Sequence, residues 1–92
     1  MTGSTGRTLQ VSDDVVFREL DGEAVILNLS SGTYFGLDRI GTRAWRLIEE
    51  HGSLDRVVQQ LVEEYDVSAE TLRADLSALF DALVAKGLLV WR

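Results

Sequence analysis

The chain has 92 residues, 46% hydrophobic and 26% charged, with 9 basic against 15 acidic side chains and a net charge of −6. That length fits one small domain, and that acidity works against binding nucleic acid or anionic membrane surfaces. With no cysteine and one histidine, disulfides, thiolate chemistry and Cys-type zinc sites are excluded, and His-based metal binding or catalysis has almost nothing to work with.

Residues 1–10 open on Met1-Thr-Gly-Ser-Thr-Gly-Arg7, polar and without an apolar run behind it. The expectation is a flexible tail over 1–10, no secretory signal, and a folded domain over 11–92. The longest aliphatic runs, Ala24–Leu27 and Leu88–Trp91, are strand-length, far short of the roughly 20 apolar residues that span a bilayer. A cytoplasmic setting is expected.

Val15–Leu20 is β-branched and aromatic and reads as a strand. Asp21-Gly22 comes next, a strong hairpin signal, and Ala24–Leu29 is the second strand. Ser30-Ser31-Gly32 marks another turn, and Thr33–Leu37 is the third strand, left at an edge because the chain beyond it is helical. Asp38 suits the N-cap of a helix from Arg39 to about His51, stopped by Gly52. Ser53 caps a second helix whose Leu54, Val57, Val58, Leu61, Val62 and Tyr65 form one apolar stripe. Ser68 caps a third, running to about Lys86 and ended by Gly87. Leu88–Trp91 is a short extended tail expected to fold back on the core. The fold class is α+β: a three-stranded antiparallel sheet followed by three α-helices, winged helix-turn-helix-like.

The third helix spreads Ala69, Leu72, Arg73, Leu76, Ser77, Leu79, Phe80, Leu83 and Val84 over about 160°, wider than the usual buried stripe of about 100°. It can touch the core on one side and offer apolar surface on another, or it is simply a central helix buried by two neighbours.

Catalytic constellations are not found. Asp13-Asp14, Glu49-Glu50 and Glu63-Glu64 are sequence neighbours, which point apart. His51 sits at a helix C-terminus, where it suits the dipole. Gly32–Gly36 leads into a strand, unlike a phosphate loop. Trp45 reads as core and Trp91 as a lid on the base of the fold. Nothing in the sequence supports an enzyme, a metal site or a cofactor. Against a DNA-binding reading, the third helix sets Glu70, Asp75 and Asp81 against only Arg73 and Lys86, too little positive charge for phosphate contacts. A binding module is left: an open edge strand beside apolar helix surface is the geometry for strand addition by an extended peptide.

The stretches Val25-Ile-Leu-Asn-Leu-Ser-Ser-Gly-Thr-Tyr-Phe-Gly-Leu-Asp38, Gly41-Thr-Arg-Ala-Trp45, Leu54-Asp-Arg-Val-Val-Gln-Gln-Leu-Val-Glu-Glu-Tyr-Asp-Val67 and Leu79-Phe-Asp-Ala-Leu-Val-Ala-Lys-Gly-Leu-Leu89 resemble the PqqD-like family of recognition elements for ribosomally synthesised, post-translationally modified peptides. The resemblance covers about residues 11 to 91 and is closest to the free-standing leader-binding proteins of lasso-peptide biosynthesis. Carriers of the pyrroloquinoline quinone precursor peptide come second, and a winged-helix DNA-binding regulator is the alternative from another class. The resemblance implies a leader peptide docking as a fourth strand on Thr33, Tyr34, Phe35, Gly36 and Leu37, against a helix face drawn from Leu72, Arg73, Leu76, Ser77 and Phe80. It implies two further partners, a cysteine-protease leader peptidase and an ATP-dependent cyclase, and no cofactor. In the lasso case it implies a leader with spaced aromatic, proline and aliphatic anchors. Strand alternation places Thr33, Phe35 and Leu37 on one face and Tyr34 with Gly36 on the other, and does not say which face lines the groove; the expectation is Phe35 and Leu37 toward the core and groove floor and Tyr34 nearer the rim.

Overall fold

The computed structural model describes residues 8–92. Its elements in chain order are β1 (Leu9–Val11), β2 (Val15–Leu20), β3 (Glu23–Asn28), β4 (Tyr34–Leu37), α1 (Arg39–His51), α2 (Leu54–Glu64), α3 (Ala69–Ala85) and β5 (Leu89–Trp91). The central sheet is antiparallel in the order β2-β3-β4.

Local chemistry sets these boundaries. Asp21 and Gly22 both take positive φ, 55° and 84°, so the two-residue turn matches the twist of the strands it joins and pairs Leu20 with Glu23. Each helix begins at its expected cap. Asp38 Oδ1 accepts from the Gly41 N–H at 2.8 Å, Ser53 Oγ from Arg56 N–H at 3.4 Å, and Ser68 Oγ from Thr71 N–H at 3.1 Å. Such bonds satisfy amides that have no partner inside the helix.

One sheet face packs on the helices. Ala24, Ile26 and Leu37 are buried there beside the partly buried Phe17 and Phe35. Trp45 is buried, as its place in the helix suggested, and its ring stacks on Phe17 at 6.2 Å between centroids. The buried faces of α2 (Val57, Val58, Leu61) and α3 (Leu72, Leu76, Phe80, Leu83) complete the core.

The N-terminal boundary needs correction. The tail expected over 1–10 does not reach residue 10, because Leu9–Val11 pairs antiparallel with Leu89–Trp91 as a second, two-stranded sheet. Leu9 is 1% exposed and sits in the core, its N–H donating to the Gly52 carbonyl at 2.8 Å. Thr8 and Arg92 exchange backbone bonds at 3.0 and 2.8 Å. An isolated three-residue strand carries too weak a periodicity to read; the partner that fixes it lies about eighty residues away. Residues 1–7 of the expected tail lie outside the described residues. The C-terminal run folds back as expected, with Leu88 and Leu89 buried and Trp91 part-exposed opposite Leu9. Among the described residues, no helix is long and apolar enough to cross a membrane.

Candidate functional site

The β4 strand pairs with β3 on one side only. Asn28 N–H donates to the Thr33 carbonyl at 2.9 Å, and the register sets Phe35 opposite Ile26 and Leu37 opposite Ala24. In an antiparallel ladder, inward- and outward-facing backbone groups alternate. Thr33, Phe35 and Leu37 therefore bond toward β3, and the N–H and C=O of Tyr34 and Gly36 face away from it. No further strand among the described residues covers this edge, and a Cβ added at Gly36 would meet nothing within 4 Å, so the sheet face beside Tyr34 is open there as well.

The side chains of β4 follow the same alternation. Leu37 is buried, Phe35 is partly buried, and Tyr34 on the opposite face is 70% exposed. Period two groups these residues, and their burial shows which group faces the core.

Beside the edge lies a cavity of about 510 Å³. Gly36 and Leu37 supply its sheet wall, Asp38, Ile40 and Gly41 the start of α1, and Thr71, Leu72, Asp75, Leu76 and Leu79 the face of α3, with Val67 at one end. Gly41 suits the close seat of α1, since a Cβ there would stand 3.2 Å from Asp38 Oδ1 and 3.3 Å from Leu37 Cδ2, tighter than ordinary contact. A second hollow of about 490 Å³ continues along β4 from Gly32 to Gly36 and reaches Lys86. The Lys86 ammonium stands 6.0 Å from the Phe35 ring centroid, a cation–π approach. The two hollows share Gly36 and together form a groove along β4, walled by α3 from Thr71 to Leu79 and ending at Lys86.

The expected site residues divide. All five of Thr33, Tyr34, Phe35, Gly36 and Leu37 lie along the open edge, and Leu72 and Leu76 line the cavity. Phe80 is 2% exposed, inside the core. Arg73 turns away: its guanidinium pairs with Asp55 of α2 at 2.7 Å. Ser77, one helical turn after Arg73, is not among the residues lining the groove. In their place the groove gains Ile40, Val67, Thr71, Asp75, Leu79 and Lys86. Leu79 could have been found, since it belonged to the wide apolar arc.

A larger hollow of about 810 Å³ lies elsewhere, among Glu19, Arg39, Arg43, Arg46, Glu49, Glu50 and Tyr65. Two of its arginines are engaged in ion pairs. Arg46 meets Glu19 at 2.9 Å, and Arg43 meets Glu64 at 2.6 Å. That pair, with Gln60 adding a bond, holds the Glu64 carboxyl down to about 2. Walls carrying six charged side chains offer little to an apolar guest.

Among known proteins, the family described as Coenzyme PQQ synthesis protein D (PqqD) matches residues 23–89. A solved structure of TbiB1 in complex with the TbiA(beta) leader peptide is 42% identical, covers 87% of this chain and 93% of its own, and superposes with a TM-score of 0.81. Lasso peptide synthetase B1 complexed with its leader peptide is 23% identical, covers 90% and 98%, and gives 0.80; it establishes likeness of fold. No curated protein sequence matches significantly.

Proposed function

The chain belongs to the PqqD family, and from that membership we propose that it is a non-catalytic recognition element for the leader of a ribosomal precursor peptide, most closely a lasso-peptide precursor. The leader adds as a further strand on the open edge of β4, its backbone bonding to Tyr34 and Gly36. Its inward side chains enter the groove over Leu37, Leu72, Leu76 and Leu79. The single observation that carries this reading is the juxtaposition of an unpaired strand edge with an apolar groove. TbiB1, 42% identical over most of both chains, was solved with a leader peptide bound, which supports carrying the same class of ligand to this chain.

The magnitudes suit a carrier. Two or three buried apolar anchors contribute about 1.5–3 kcal/mol each, and a few strand bonds add about 0.5–1.5 kcal/mol apiece. Ordering a disordered peptide takes back about 2–5 kcal/mol or more. The balance corresponds to affinities from about micromolar to tens of nanomolar, enough to hold a precursor and let a product go. Bound in this way, the precursor presents its cleavage site to a leader peptidase at raised effective concentration, ahead of an ATP-dependent cyclase. A carrier of the pyrroloquinoline quinone precursor would use the same edge; the sequence resemblance to free-standing leader-binding proteins favours the lasso assignment.

A fluorescein-labelled leader from the precursor encoded beside this chain tests the reading by titration. Binding at micromolar or tighter affinity, nearly flat with salt, is expected. Absence of binding, or steeply salt-dependent binding to duplex DNA instead, would overturn it. The peptidase step is tested separately: adding the chain to precursor and peptidase should accelerate leader cleavage, and an unchanged rate would remove that step alone.

A further inference from the structure

We propose that the groove reads charge order as well as shape. It selects an extended peptide with a cationic side chain at the Asp75 end and an anionic side chain four or six residues away, beside Lys86. This rests on the leader-docking reading and deepens it by naming the chemistry of the guest.

At 100° per residue, Asp75, Leu79 and Lys86, the C-cap of α3, fall within about 40° of one another around the helix axis. One stripe therefore carries a carboxylate, an apolar floor and an ammonium, in that order. Asp75 lines the cavity with Asp38 across from it. Lys86 lines the hollow at the far end, against Phe35. The ion pairs among the described residues are Arg43–Glu64, Arg46–Glu19, His51–Glu50 and Arg73–Asp55; Asp75 and Lys86 belong to none of these. Asp38 is occupied as a cap for the Gly41 N–H, which leaves Asp75 as the main carboxylate facing the guest.

The spacing is set by geometry. The stretch of α3 from Asp75 to Lys86 rises about 16 Å, a length that an extended strand covers in about five residues. Side chains four or six apart share a strand face, so both charged groups can lean toward α3 while an apolar side chain between them covers Leu79. A guest of reversed order would set like charges against each end.

Peptide display provides the test, with nine-residue random windows selected on the immobilised full chain. Peptides with Lys or Arg and Asp or Glu four or six apart, in one consistent order, should be enriched. Synthetic peptides of reversed order should bind about three- to tenfold more weakly. On an Asp75→Lys, Lys86→Glu double variant the preferred order should invert. Enriched peptides that lose binding to Leu79→Gln yet show no charge order, or keep it unchanged on the double variant, would overturn the charge proposal and leave the groove reading intact. Peptides that bind Leu79→Gln undiminished, or a selection that enriches nothing, would overturn both.

Discussion

The Asn28 side-chain amide donates to the Gly87 carbonyl at 3.0 Å, tying the β3–β4 turn to the end of α3 across 59 residues of sequence. Its Oδ1 accepts from the N–H groups of Ser30 and Ser31 at 2.9 and 3.2 Å. One side chain therefore shapes the turn that starts β4 and fixes the far end of the groove. Asn28→Ala should cost about 1–3 kcal/mol in urea unfolding. Asn28→Asp should cost at least as much, because it keeps the acceptor but turns a carboxylate oxygen on the Gly87 carbonyl. Leader affinity should fall in both variants, since the β4 edge and α3 lose their common anchor.

Arg73 and Phe80 separate site from scaffold. Arg73 reaches Asp55 with both partners well exposed, so Arg73→Glu should cost less than about 1 kcal/mol and leave leader affinity within twofold. Phe80→Ala, deep in the core, should cost about 3–5 kcal/mol in urea unfolding. Leu79→Ala, part-buried at the groove wall, should weaken leader binding severalfold while circular dichroism remains native. Strong loss of binding by a folded Arg73→Glu chain would move the site to the α2 side of α3.

The difference between expectation and structure lies in which edge of one arc faces the sheet. Helical periodicity shows that α3 is apolar over more than a core-facing stripe needs. It does not show which flank meets β4 and which meets α2, because that depends on how α1 and α2 orient the helix. Arg73 and Ser77 are on the α2 flank; Thr71, Asp75 and Lys86 are on the other. Turns and caps were legible because their chemistry is local: Asp21-Gly22, Asp38, Ser53 and Ser68 each act within a few residues. The clasp of β1 on β5 was not, since each strand alone is three residues long and only their pairing makes them strands.

Acid should loosen the α1–α2 seam before it touches the groove. The Arg43 guanidinium, with Gln60 beside it, lowers Glu64 to about 2 in the folded chain, against about 4.3 for a free glutamate. A depressed carboxylate adds stability that is complete above the unfolded value and is lost as pH falls through the folded one. Between pH 5 and pH 2.5 the native chain should therefore lose more stability than Glu64→Gln. The pair is partly solvent-exposed, so the difference should stay under about 1 kcal/mol. Urea unfolding of both proteins at the two pH values measures it, and parallel losses would show that the pair contributes nothing.

Gly36→Pro tests strand addition with little disturbance of the sheet. The Gly36 N–H points away from β3, so proline removes a donor offered to a guest and none that the ladder uses. Phe35 before it is already extended, the conformation a following proline favours, and the space around position 36 is open. Proline still pulls φ toward about −65°, so some loss of stability is expected, with a native circular dichroism spectrum retained. Gly36→Ala, which keeps the N–H, controls for the added side chain. Leader affinity should drop about tenfold or more in the proline variant and change by less than threefold in the alanine variant. Equal affinities for the two would mean that the guest does not use this backbone edge, and the leader would have to be held by side-chain contacts in the groove alone.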